Sequence, residues 1–374
     1  MPSLPPLDRV AKPLAGVLGR TLGAALSHPA VEPLVTPLTT PLRPADYLGL
    51  VDPLASSRTL RGVVTAVVPE TADTTTIHFR PGRGWDDHLA GQWARIGVEV
   101  DGVRHWRSYS ISSGAGQDPA ITVHVEGLVS TALARGTTVG DVLHLDVPQG
   151  DFVLPEHPRP LLMLTAGSGL TPVMSMVRTL VARREDADMV LVHSSRSRDD
   201  AVFADELDEL VARHGGLRVV QWHTGERGRI DLTDTADLDE VCPDWRTRAA
   251  YACGPAAFLE AAARLWQAES GEQLTIERFT PVVLEGQGGE GGLVTFLRSD
   301  KEIEVDGSTT LLEAAEQAGV MMPSGCRMGI CHTCLTPLRA GKVRDLRTGE
   351  VHGDEGQPIQ TCVSAPAGPC HLEI

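Results

Sequence analysis

The run Ser324-Gly325-Cys326-Arg327-Met328-Gly329-Ile330-Cys331-His332-Thr333-Cys334 sets three thiols at C-x4-C-x2-C, and Cys362 follows 28 residues later. Two bridged irons need four thiolates, and this spacing lets one loop supply three of them, as in a [2Fe–2S] site. Gly325 and Gly329 permit a tight loop. They also bring backbone N–H groups toward the sulfur atoms, which offsets negative charge and tunes the potential. A structural zinc site is the alternative. Zinc cysteines usually come as paired short hooks, and a three-plus-one arrangement with embedded glycines fits that badly. Cys242 and Cys370 read as unpaired thiols outside the cluster.

Four more segments carry residue types suited to chemistry. In Arg107-Ser108-Tyr109-Ser110 the arginine can pair with a phosphate, the tyrosine can stack on a flavin ring and a serine can bond a ring nitrogen. The plainer reading is a strand with Tyr109 in the core and Arg107 outside. Gly127-Leu128-Val129-Ser130 can begin a helix whose N–H groups face a diphosphate. Thr165-Ala166-Gly167-Ser168-Gly169-Leu170-Thr171-Pro172 joins an apolar strand to a helix, the setting of a phosphate-binding turn, in the form G-x-G-x-x-P. Tyr251-Ala252-Cys253-Gly254-Pro255 joins another strand to another helix. In a parallel sheet both turns would sit at strand carboxyl ends, where ligands bind.

The elements that must position these residues change along the chain. Residues 1–57 form a proline-rich arm in which Pro29, Pro33, Pro37 and Pro41 forbid a continuous helix, although Leu14–Ser27 suits a short one. Over 58–157, short β-type runs separated by Gly and Asp predict an antiparallel barrel. Over 158–285, strands alternate with helices and predict a parallel α/β sheet. Residues 286–292 hold five glycines in seven positions and read as a linker. Residues 293–374 open with a hairpin and the helix Leu311–Ala318, followed by the cysteine loop and short strands.

The 374 residues carry 33 Lys and Arg against 49 Asp and Glu, a net charge of -16. Phosphate repels such a chain, which argues against nucleic-acid binding. Apolar residues at 42% are enough for two or three cores. No run suits a bilayer span: the longest uncharged one, Pro160–Val177, is broken by Pro160, Gly167, Gly169 and Pro172. The apolar stretch Leu14–Gly19 makes a poor signal peptide. The protein is therefore expected in the cytoplasm, with reduced thiols.

Residues 293–374 resemble a plant-type ferredoxin of β-grasp fold, and Cys326, Cys331, Cys334 and Cys362 match its ligands. The order R-S-Y-S, G-x-x-S, G-x-G-x-x-P, C-G-P resembles the ferredoxin–NADP reductase superfamily across about 58–280. The resemblance implies a flavin, nicotinamide, iron–sulfur reductase. Arg107, Ser108, Tyr109 and Ser110 would hold the flavin, with Gly127 and Ser130 at its phosphates. The G-x-x-S form is similar to members that bind FAD. Thr165, Gly167, Gly169 and Pro172 would shape the nicotinamide diphosphate turn. Cys253 would lie at hydride transfer, beside Gly254 and Pro255, with Tyr109 and Ser110 on the flavin side. Ser195 and Arg196 point to NADPH, with Asp199 able to serve NADH.

Asp46-Tyr47-Leu48, Pro69–Thr71 and the CRMGIC loop are similar to actinobacterial reductases that feed membrane-bound di-iron fatty acyl desaturases. The implied acceptor is such a desaturase, met by a peripheral contact at the inner face of the membrane. The alternatives are a Rieske or other multicomponent oxygenase, a redox sensor without turnover, and a zinc-stapled binding module.

Overall fold

The computed structural model describes residues 52, 54, 59–100, 102–155, 159–183, 187–270, 272–279, 289–325, 329 and 332–374. The expected helix Leu14–Ser27 and the ligand candidates Cys326 and Cys331 lie outside the described residues.

Six strands build the first unit: β1 (Arg61–Thr71), β2 (Thr74–Pro81), β3 (Trp93–Val100), β4 (Val103–Ser110), β5 (Ala120–His124) and β6 (Val142–Leu145). They form one antiparallel sheet in the order β4-β3-β6-β1-β2-β5. Its two edges meet at an Ile111–Ile121 bridge, which closes the sheet into a barrel. Ile77, Phe79, Ile96, Ile121 and Leu143 fill the interior. Alternation along the strands turns these side chains inward together.

The second unit is a parallel sheet of β7 (Leu161–Ala166), β8 (Met189–Ser195), β9 (Leu217–His223), β10 (Ala249–Cys253) and β11 (Leu274–Glu277), in the order β11-β10-β7-β8-β9. Helices cover both faces, so all seven residues of β8 are buried. Between β7 and β8, the helix Leu170–Ala182 buries ten of its thirteen residues. It is apolar nearly all round because it is packed from two sides. The sheet lies on one side, and on the other Ser175 Oγ donates to Ser113 O and Arg178 Nη1 to Ser112 O of the barrel, at 2.5 and 2.6 Å.

The third unit pairs β12 (Gly289–Phe296), β13 (Lys301–Gly307), β14 (Leu335–Ala340), β17 (Pro358–Gln360) and β19 (Cys370–Leu372) in a mixed sheet, order β13-β12-β19-β14-β17. A second small sheet holds β15 (Val343–Asp345), β16 (Val351–His352) and β18 (Ser364–Pro366). Across the larger sheet lies the helix Leu311–Gln317, opened by a reciprocal Thr310–Glu313 capping box. The three architectures are those the sequence predicts.

One expectation needs correction. Gly289–Gly292, read as the end of a glycine linker, belong to β12. A Cβ on Gly291 would lie 2.2 Å from Val305 O, and one on Gly292 2.4 Å from Gly368 O. Glycine stands there because two backbones approach closely.

Candidate functional site

A cavity of about 890 Å³ opens where the three units meet. Its size suits a cofactor. The barrel contributes Trp93 together with Arg107, Ser108, Tyr109 and Ser110 from β4. Antiparallel pairing sets Ser110 opposite Trp93 and Ser108 opposite Arg95. The Ser108 and Ser110 hydroxyls are buried without a hydrogen-bond partner. Such groups carry an uncompensated desolvation cost until a ligand bonds them, and the polar edge of a flavin ring would do so. Tyr109 packs partly on the barrel core while also lining the cavity, so the strand reading and the ligand reading both hold for it. Burial pushes its phenol up to about 12, so it stays a neutral ring and donor.

Gly127 and Ser130 also line the wall. Nothing stands within 4 Å of where a Gly127 Cβ would be, which leaves an open cradle. Ser130 Oγ accepts from Gly127 N at 2.8 Å and Glu126 N at 2.9 Å, so this hydroxyl organises the turn. The short helix Leu128–Thr131 then runs into a π-helical turn at Ala132–Gly136.

The glycine turn after β7 contributes Ser168 and Thr171 to the same wall. Gly167 has φ +55, which glycine adopts without strain. A Cβ on Gly169 would lie 2.2 Å from Cys253 O, so this glycine lets the two turns at the strand ends touch. Pro172 lies in the first turn of the helix Leu170–Ala182, where no intrahelical acceptor awaits its missing N–H.

Thr165 is placed differently from expectation. It is fully buried, and its Oγ1 lies 2.9 Å from His193 Nδ1 on β8. A parallel central strand turns alternate residues into the packed helices, and Thr165 falls on such a position. Cys253 is fully buried too and does not reach the cavity wall. Burial, with the nearby Glu277, holds its thiol well above the usual range, so it is a neutral thiol. Gly254 packs against Ala166, and Pro255 is the N-cap of the helix Ala256–Glu269. Ser195 and Arg196 lie at the end of β8, away from the cavity wall. Ser195 Oγ sits 3.1 Å from His223 Nδ1, and the exposed Arg196 pairs with Asp200 at 2.8 Å.

In the third unit, Cys334 and Cys362 are buried with their sulfurs 3.2 Å apart. The Cys362 contact draws the Cys334 thiol down to about 6, toward the thiolate that iron requires. Gly329, midway along the C-x4-C loop, has φ +74. Its carbonyl accepts from Gln360 Nε2 at 2.7 Å and Arg347 Nη1 at 3.3 Å. This donor set fits a cluster held by thiolates, with a second ring of polar groups fixing the loop.

Comparison with known proteins agrees with this geometry. The Oxidoreductase NAD-binding domain family matches residues 163–264, and the 2Fe-2S iron-sulfur cluster binding domain family matches 294–367. The NADPH oxidoreductase of Mycobacterium tuberculosis is 46% identical over 343 residues, covering 89% of each chain. The chain belongs to the iron–sulfur flavoprotein reductases of the ferredoxin–NADP reductase superfamily. The glycine betaine monooxygenase reductase subunit of Pseudomonas aeruginosa is 30% identical, over 74% of this chain and 85% of that one. The fold is that of phthalate dioxygenase reductase, with a TM-score of 0.60, 22% identity and coverage of 85% and 98%.

For a reductase of this family, the structure adds wall residues that sequence reasoning missed. Glu277 ends β11 and Phe279 follows it, and Ser308, Thr310, Leu312 and Glu313 come from the ferredoxin domain, beside the ligand candidate Cys362. Glu277 is the more telling. Burial pushes its carboxyl up to about 8, and its Oε2 has no partner. It is the register partner of Cys253, so the rule that parallel strands end at the ligand could have found it. Among the described residues no helix is long and apolar enough to cross a membrane.

Proposed function

We propose that this reductase takes electrons from NADPH and passes them through FAD and the [2Fe–2S] cluster to an external oxygen-activating acceptor. One observation carries the reading. Flavin-side hydroxyls, the nicotinamide-side turn and the cluster ligand candidate Cys362 all line one cavity. When bound, FAD accepts both electrons of a hydride and hands them on singly. The chain's part is to bind, orient and exclude water.

In this reading Arg107, Ser108, Tyr109 and Ser110 hold the flavin, Gly127 opens room for its phosphates and Ser130 fixes that turn. Gly167 and Gly169, with Pro172, shape the nicotinamide turn, and Gly254 and Pro255 shape its neighbour. Cys253 backs this wall as a neutral thiol. Glu277, protonated at pH 7, can hold a proton beside the reacting rings. Ser195 and Arg196 offer a hydroxyl and a cation to a 2′-phosphate, which supports NADPH over NADH. Cys326, Cys331, Cys334 and Cys362 complete the cluster ligands.

For the acceptor we infer a membrane di-iron fatty acyl desaturase, reached from the cytoplasm by peripheral contact. Its support is the sequence resemblance at the arm and the CRMGIC loop. A multicomponent oxygenase is the second reading, favoured by the likeness to the glycine betaine monooxygenase reductase subunit. Anaerobic NADPH should bleach both flavin and iron–sulfur bands of the purified protein. A colourless protein, inert after FAD and cluster reconstitution, would overturn the electron path. With that path working, NADPH-dependent double-bond formation by a desaturase in vesicles supports the first acceptor. Turnover only with a soluble oxygenase supports the second.

A further inference from the structure

The ferredoxin domain forms one wall of the flavin cavity, and a polar contact beside that wall bridges the two domains. Arg95 lies on β3 of the barrel, opposite Ser108. Its Nη1 donates to Thr333 Oγ1 at 2.6 Å, across 238 residues of sequence. The rest of the guanidinium is held within the barrel. Nε donates to Asp146 Oδ2 at 2.8 Å and Nη2 bonds the same oxygen. The Asp146 N–H donates to the Arg95 carbonyl at 3.0 Å, and the guanidinium carbon stands 5.7 Å from the centre of the Trp106 ring. Arg95 is therefore fixed before the ferredoxin domain arrives, so meeting Thr333 orders little that was free.

Thr333 immediately precedes the ligand candidate Cys334, in the loop that carries the cluster. Cys362, 3.2 Å from Cys334, lines the flavin cavity. A contact one residue from a ligand sets where the cluster edge stands relative to the flavin pocket. The guanidinium also presents a positive charge to the side that becomes more negative when the cluster is reduced.

We propose that Arg95 is a positioning residue for internal electron transfer, docking the cluster loop onto the flavin barrel through Thr333. The proposal rests on the NADPH-to-cluster reading given above. One hydride brings two electrons. Each passage across the docked contact oxidises the flavin by one electron and reduces the cluster by one. Because the cluster holds one electron at a time, the external acceptor must take the first before the second crosses; the flavin is then oxidised again, and the proton delivered with the hydride leaves to solvent.

The test uses the full-length holoprotein and the variants Arg95→Ala, Thr333→Val and their combination. NADPH is mixed anaerobically, and flavin and cluster bands are followed separately. Flavin bleaching should keep its wild-type rate, and failure of that step in the wild type would instead overturn the electron path itself. Cluster bleaching should slow about tenfold in each single variant, the scale of losing one hydrogen bond to a charged group from a docking equilibrium. The double variant should be no slower than either single one, because both remove the same contact. Small-angle scattering should show a larger radius of gyration in all three. Unchanged cluster bleaching and radius, or effects that add, would overturn the docking role. Thr333→Val removes only a hydroxyl, so it decides the matter if Arg95→Ala does not fold.

Discussion

Around the flavin pocket, the Ser108 and Ser110 hydroxyls and one Glu277 oxygen are buried without partners. Around the cluster loop, the single Gly329 carbonyl takes two side-chain donors. The donor Arg347 is itself held by Asp345 at 2.6 Å and by Gln360 at 2.9 Å. The first region leaves polar groups for a ligand to satisfy. In the second, the described Gly329 carbonyl is satisfied within the protein, and sulfur is left for metal. A pocket for an organic cofactor can be recognised by what it lacks, and a cluster site by how firmly its loop is tied.

The largest expected effect lies on the cluster side. Cys362→Ser should strip the iron–sulfur absorbance and abolish reduction of one-electron protein acceptors. Flavin bleaching by NADPH should survive, and visible spectra of the reconstituted variant read both. Survival of the iron–sulfur bands would mean that Cys362 is not a ligand.

Next is Arg347→Gln, which keeps a donor but removes the charge. Cluster retention against a chelator should fall about 10- to 100-fold, as for other residues that orient metal ligands. The electron should also shift toward the flavin, about tenfold for 59 mV of lost potential in a one-electron couple. Spectroelectrochemical titration checks it, and an unchanged potential would reduce Arg347 to a tether.

On the flavin side the contrast predicts opposite signs for one substitution. Ser110→Ala should raise the melting temperature of the FAD-free protein, since a buried unpartnered hydroxyl disappears. It should also weaken FAD binding by about 1 kcal/mol, or roughly fivefold. Thermal melts and FAD titration measure the two effects separately, and weakening without stabilisation would mean that the hydroxyl has a partner in the empty pocket.

A separate effect is a pH dependence. Burial raises the Glu277 carboxyl from 4.5 to about 8 in the folded chain. The folded state therefore binds the proton more tightly than the unfolded one. Stability from this group is fully present below about pH 4.5 and is lost as pH rises through about 8. Glu277→Gln should flatten that decline in FAD-free protein, and melting curves between pH 5 and 9 would show it.

Much of this comparison was legible beforehand. The cluster spacing names its own chemistry, and the R-S-Y-S segment read as flavin-facing lines the cavity. Glu277 passed unnoticed, because its place beside Cys253 comes from a parallel register that no local pattern encodes. Thr165 misled for the related reason that a motif position does not say which way a buried strand turns its side chain. The Arg95–Thr333 contact spans units far apart in sequence, and only tertiary structure brings them together.

Gly289–Gly292 belong to β12, so residues 280–288 are what joins Phe279 to the ferredoxin domain in the sequence. Ten Cα steps cannot exceed about 35 Å even when fully drawn out. Confined to that radius, the cluster meets the flavin at an effective concentration in the millimolar range or above, however dilute the protein. Internal electron transfer should therefore be indifferent to dilution, and any dependence of rate on enzyme concentration belongs to the acceptor alone.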